Sequence, residues 1–261
     1  MGRESRATLV TLLLLLVLWE IAGRYDLVAS GALPAPSEIV GRLVVDWRDY
    51  PPHVAATGAA AAAGFVIGDL GAGLAAILFL LWPVGGRLAR GINIAVFALP
   101  PIAIVPVLVI AMPGDGPRVA LAALAVYFPT MIATTVGLRE IDPRAADVVR
   151  AYGGGDGAVM RWIRLRAALP AFLGGLRVAA PNAVLGAVLA EFGSGARWGL
   201  GTYLLGSLGR AEPDRLWGIG LVATLIAGIG YGLAALVAAR LTRADRGLTI
   251  APDAVPRAVP V

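Results

Sequence analysis

The sequence predicts an all-α, polytopic membrane protein with about six transmembrane helices and a long polar loop between the fourth and fifth. Three observations predict it. Of 261 residues, 58% are hydrophobic and 15% are charged, and the mean hydropathy is +0.79. That balance lies outside ordinary soluble domains and inside the membrane class. Apolar runs near the roughly 20 residues needed to cross a bilayer recur along the chain. The net charge of +5 comes from arginine alone, placed in short loops between those runs. The positive-inside effect explains this more economically than nucleic-acid binding.

The first run, ATLVTLLLLLVLWEIAG at 7–23, follows MGRESR. A secretory signal would be cut close behind its apolar core. The nearest small-residue stretch, VASGA at 28–32, comes only after Glu20, Arg24 and Asp26, so a retained span is expected. In LPAPSEIVGRLVVDW (33–47), Pro34 and Pro36 precede the end of a turn and Ser37 is the expected N-cap. Ile39, Val40, Leu43, Val44 and Trp47 then recur at helical spacing. A short amphipathic helix on the outer surface is expected there.

The second run covers 56–82. It carries Gly64 and Gly68 four residues apart, as the sixth run (216–239) carries Gly228 and Gly232. Small residues at that spacing permit close helix contact. The third run, 92–112, contains Pro100, Pro101 and Pro106. Each proline removes a backbone donor and clashes with the preceding turn. The helix is therefore kinked or broken, either as a matter of packing or where it faces a pathway. Runs at 118–138 and 169–191 complete the six.

Six spans put both termini on one side. With that side cytoplasmic, the inner segments hold 14 arginines and the outer segments seven, with Arg177 inside a span. The excess sets the orientation. The expected organisation is an N-terminal span and outer segment (1–52), a core (53–240) and a disordered cytoplasmic tail (241–261).

Absences limit the chemistry. Without lysine there is no G-x-x-x-x-G-K-S/T loop for ATP. Without cysteine there is no thiol nucleophile, disulfide or Cys-ligated metal. His53 is the single histidine and makes no metal pair. No cofactor or metal is expected, and an enzyme is disfavoured. Charges at membrane depth are costly and face the bundle interior. Asp69, midway along the second span, and Arg177, two turns into the fifth, either pair or line a polar route. Glu191 closes the fifth span near the outer face, where partial solvation makes a carboxylate cheap. His53 and Glu20 sit near span ends with no role assigned.

The 139–168 loop has internal design. Asp142-Pro143 starts a helix, RAADVVRAY (144–152) continues it, and Gly153-Gly154-Gly155 stops it. AVMRWIRLRAALP then leads into the fifth span. A short helix on a jointed base suits docking to a cytoplasmic partner; the alternative is a solvated loop that only sets topology.

This stretch resembles the cytoplasmic E-A-A loop of permease subunits of bacterial ABC importers. Asp147-Val148-Val149 stands at the E-A-A place. Gly153, Ile163 and Leu165 fall on the pattern's glycine, isoleucine and leucine at its spacing. Two departures bear on partner choice: Asp-Val-Val for Glu-Ala-Ala, and Arg166 for the usual proline. The likeness covers most of the chain and is nearest to the nitrate, sulfonate and taurine importer group. It runs through LPAPSEIVGRL, ALPPIAIVPVLVIAMPGDG (98–116), VYFPTMIATTVGLREIDP (126–143), ALPAFLGGLRVA (168–179) and LAEFGSGARWGLG (189–201).

The resemblance implies a permease of the bacterial inner membrane that works as a homodimer. Each copy inserts a coupling helix, about 142–156, into one of two separate ATP-binding subunits. Tyr152, Gly154 and Asp156 belong to that coupling element with the pattern residues. A periplasmic or lipid-anchored binding protein delivers a small anionic or sulfonate-like solute, and ATP hydrolysis belongs to the partner. The candidate pathway residues are Asp69, Pro100, Pro101, Pro106, Arg177 and Glu191. The rival is a self-contained secondary carrier or channel. It would need an inverted repeat and intramembrane acids; Asp69 is the only deep acid and no repeat is visible.

Overall fold

The computed structural model describes residues 3–28, 31–82, 84–86, 91, 93, 95 and 98–246. Among them the order is α1 (Arg3–Arg24), α2 (Pro36–Val45), α3 (Tyr50–Leu81), α4 (Pro101–Ala111), α5 (Gly116–Arg139) and α6 (Pro143–Ala151). Next come α7 (Asp156–Val159), a π-turn (Met160–Arg164), α8 (Leu165–Glu191), α9 (Leu200–Gly209) and α10 (Pro213–Arg246). Five stretches are long and apolar enough to cross a membrane: Ser5–Arg24, Tyr50–Leu81, Gly116–Arg139, Asp156–Glu191 and Pro213–Thr242.

The third expected span takes another form. Helix α4 has 11 residues, about 16 Å at 1.5 Å per residue. The break falls at Pro100, whose ψ of 121° is extended, as a following proline ring requires. Pro101 starts α4 and Pro106 lies inside it. Residues 92, 94, 96 and 97 of that expected run, and 247–261 of the expected tail, lie outside the described residues.

Helices α3, α5 and α8 make the centre of the bundle. Ala60, Ala61, Ala122, Val126, Ala179, Ala183, Val184 and Ala187 form one buried cluster. Ala72, Ala76, Met131, Leu138 and Ala168 form another. Between helices in lipid the drive is van der Waals contact at short range, which small side chains allow. A Cβ at Gly64 would lie 2.9 Å from the Ala123 nitrogen, and one at Gly68 3.0 Å from Val126 Cβ. The close approach expected at that pair is formed. Gly228 and Gly232 meet nothing within 4 Å; α10 instead turns Gly230, half a turn round, toward Ala180.

Helix α1 is peripheral, with Leu9 through Leu18 facing outward. It is held at its end. The Trp19 indole donates to the Pro34 carbonyl at 3.1 Å and lies 5.4 Å from the Trp217 ring. Glu20, left without a role by the sequence, accepts the Ser37 amide at 3.0 Å and its hydroxyl at 2.5 Å. Ser37 is therefore not the N-cap. Ala35 holds that place, and Glu38 accepts its amide at 2.9 Å. The expected amphipathic helix α2 buries Ile39 and turns Val40, Val44 and Trp47 outward. Asp46, just past its end, receives Arg215 at 2.6 Å and Arg42 at 2.9 Å, which fixes α2 on α10.

Candidate functional site

Polar structure concentrates at the two ends of the continuous helical stretch Asp156–Glu191. The expected docking loop precedes one end. Asp142 caps α6 by accepting the Arg144 amide at 2.9 Å, and Pro143 takes the first turn, where its missing N–H costs nothing. Ala146 is buried under the helix, while Asp147, Val148 and Tyr152 face solvent, Tyr152 at 89% exposure. Val149 is half-buried. Gly153 has φ +82°, the left-handed conformation of a helix stop. A Cβ at Gly154 would lie 2.6 Å from Val149 Cγ1.

The coupling element expected over 142–156 is a helix that ends before the glycine run, followed by a second helix from Asp156. Arg150 spans the joint, 3.4 Å from Asp147 and 3.2 Å from Asp156. Ile163 is half-buried within the π-turn and Leu165 is exposed at the start of α8. Arg164 donates to the Leu138 carbonyl at 2.9 Å and ties the loop's base to α5. Arg166, the departure from the family pattern, lies 5.3 Å over the Trp162 ring. The result is a solvent-facing knob on a fixed base.

At the other end Glu191 is 1% exposed. The partial solvation expected there is absent, because the 198–201 segment folds over the carboxylate. Thr57 donates to it at 2.8 Å, the Gly201 amide at 2.7 Å, and the Arg118 guanidinium stands 3.5 Å away. Thr57 in turn accepts the Leu200 amide at 2.8 Å. Arg118 donates to the Trp198 carbonyl at 2.8 Å and pairs with Asp115. His53, also unassigned by the sequence, sets Nδ1 2.7 Å from the carbonyl and 3.1 Å from the amide of Gly199. Its ring stacks on Tyr203 at 4.5 Å. Thr57 and Arg118 were not picked out as site residues in the sequence. The available signal was the single histidine four residues before a threonine.

The other candidate pathway residues do not converge. Asp69 accepts the Thr130 hydroxyl at 2.6 Å, and no ion pair joins it to Arg177, whose Nε is buried without a partner. Asp69 Oδ2 is likewise buried and unpartnered. Pro100, Pro101 and Pro106 lie on exposed faces, while α4 buries Val105 with Leu121 and Ala190. Among the described residues no group of three His, Cys, Asp or Glu side chains could hold a metal ion.

Membrane-crossing helices packed through small residues, with an exposed helix and glycine joint between two of them, define a multi-pass membrane protein. The chain belongs to the family described as binding-protein-dependent transport system inner membrane component, which matches residues 69–244. It is similar to the formylaminopyrimidine transport permease protein of Halalkalibacterium halodurans, 30% identical over 78% of this chain and 82% of that one. It is 30% identical to the riboflavin transport system permease protein of Chloroflexus aurantiacus, over 75% and 74%. It is 27% identical to the taurine transport system permease protein of Escherichia coli, over 90% and 89%. The chain is a multi-pass permease subunit of an ABC transport system of the inner membrane; in such systems a separate subunit hydrolyses ATP.

Proposed function

We propose that two copies of this chain form the pathway of an importer for a small anionic or sulfonate-like solute. Each copy couples to one of two ATP-binding subunits through α6, and a periplasmic or lipid-anchored binding protein delivers the solute. The observation that carries this reading is the capped, jointed and solvent-facing helix Pro143–Ala151, with Asp147, Val148, Val149, Tyr152, Gly153, Gly154, Asp156, Ile163 and Leu165 as the coupling set. Both termini face the cytoplasm, in keeping with the 14-to-seven distribution of arginines. The core is 53–240, with 1–52 as an added span and outer segment. Asp69, Pro100, Pro101, Pro106, Arg177 and Glu191 border the route. The unpartnered buried atoms of Asp69 and Arg177 support this assignment, since a buried polar group without a protein partner calls for a water or ion to satisfy it. The taurine permease among the relatives supports a sulfonate-like solute; the pyrimidine and riboflavin relatives define the other ligands to screen.

The test is affinity purification of the tagged chain, expressed with its neighbouring genes, in mild detergent. An ATP-binding subunit is expected to copurify and to support ATP-dependent uptake in vesicles. Gly153→Pro should abolish both while the chain stays inserted, because proline cannot adopt the +82° φ at that joint. Asp147→Arg should do the same by reversing the charge of the knob. A chain that purifies alone and transports without ATP would instead be a self-contained carrier or channel.

A further inference from the structure

Helix α9 is a short rigid piece between two joints. Gly195 (φ +61°) and Gly199 (φ +152°) precede it, and Ala211 (φ +52°) follows it. Its first turn is held by polar groups of three different spans and by Leu200, buried against Tyr50 and Ile219. Glu191 of α8 accepts the Gly201 amide, Thr57 of α3 accepts the Leu200 amide, and Arg118 of α5 holds the Trp198 carbonyl. His53 of α3 adds its bond to Gly199 and its stack on Tyr203. A helix N-terminus presents unpaired amides, and here the Leu200 and Gly201 amides find partners outside the helix. Each such bond, replaced by water when the segment lifts, contributes far less than its intrinsic strength.

The same carboxylate ends the helical stretch Asp156–Glu191, 36 residues long, or about 54 Å. The docking knob joins its other end. Pro170 and Pro181 interrupt the hydrogen-bond ladder between them, giving that stretch two places to bend. Displacement at the knob thus has a direct covalent path to Glu191.

We infer that Glu191, Thr57, His53 and Arg118 form a latch that seats α9 on the outer end of the bundle, released when the helix Asp156–Glu191 moves at its cytoplasmic end. These are positioning residues for the transport cycle. The release step rests on the coupling reading above; the seating of α9 does not.

The Thr202 hydroxyl is buried, so a thiol in its place is shielded while α9 is seated. In the assembled importer, Thr202→Cys would be the sole thiol of this otherwise cysteine-free chain. Its reaction with a membrane-impermeant thiol reagent is read as a mass shift of this chain. At rest, Thr57→Val should raise the labelling rate about tenfold, as loss of a charge-assisted hydrogen bond implies. Thr57→Ser, which keeps the hydroxyl, should leave it at the parental rate. Trapping the ATP-binding subunits with nucleotide and vanadate should raise the parental rate to that of Thr57→Val. Equal resting rates in the Val and Ser variants would overturn the latch. No rise on trapping, with the ATP-binding subunits bound and active, would overturn its release from the cytoplasmic end. Failure of the coupling reading shows elsewhere, as an ATP-binding subunit that stays bound to Gly153→Pro.

Discussion

At the Asp156 end of the helix Asp156–Glu191, Asp147, Val148 and Tyr152 face solvent, and Arg150 pairs across the joint between α6 and α7. At its Glu191 end both oxygens of Glu191 have partners and the side chain is buried. One end exposes apolar groups and a small ion-pair cluster to solvent. The other satisfies its polar groups from within. The first leaves its surface open to solvent, and the second holds segments of this chain together. Removal of side chains at the two ends should therefore damage different properties.

The largest loss of stability is expected at the buried end. Glu191→Ala leaves the Gly201 amide and the Thr57 hydroxyl without their acceptor and takes from Arg118 its buried carboxylate, leaving it the exposed Asp115. The cost is about 3 kcal/mol, measured as thermal unfolding in detergent. A loss close to zero would show that water already reaches the carboxylate.

Asp46→Asn probes an outer ion pair that is less enclosed, and a loss of about 1 kcal/mol at pH 7 is expected. Burial raises the Asp46 pKa, but the Arg215 hydrogen bond and the charges of Arg215 and Arg42 outweigh it and hold the carboxyl below its ordinary range. Its stabilisation is complete above the unfolded value of about 3.9. It disappears as pH falls through the lower folded value. The parent and the Asn variant should thus converge in stability on the acid side. A constant difference down to pH 2 would place the effect in packing.

The smallest effect on folding is expected at the knob. Tyr152→Ala should change stability by less than about 0.5 kcal/mol, as for other exposed positions, while capture of the ATP-binding subunit weakens. A variant that loses stability but captures its partner normally would reverse the contrast between the two ends.

The knob could be read in the sequence because its determinants are local. Asp142-Pro143, the glycine run and the spacing from Asp147 to Leu165 act within one short segment. The Glu191 network was hidden because its hydrogen bonds from Thr57, His53 and Arg118 join residues 80 to 146 positions apart. Nothing near Thr57 or Arg118 marks either as a partner of Glu191. Of the two readings open for Asp69 and Arg177, the pairing fails for a related reason. Position along a span gives depth but not the direction in which a side chain leaves the helix, and Asp69 leaves toward Thr130 of α5. The prolines of 92–112 gave the location of the break, yet not that only 11 residues would form α4. Ser37 satisfied the rule for an N-cap, but Glu20, 17 residues earlier, competes for its hydroxyl and amide.

The five residues Met160–Arg164 wind as a π-turn between the knob and α8. Such a turn holds one more residue than the α-helix would, and each residue advances a helix by about 100° of rotation. The bearing of the knob about the membrane normal is therefore set by a count of residues, separately from the chemistry of its surface. Losing one residue there would swing an unchanged docking face by a quarter turn or more. Subunits with the same surface could in this way come to face different partners.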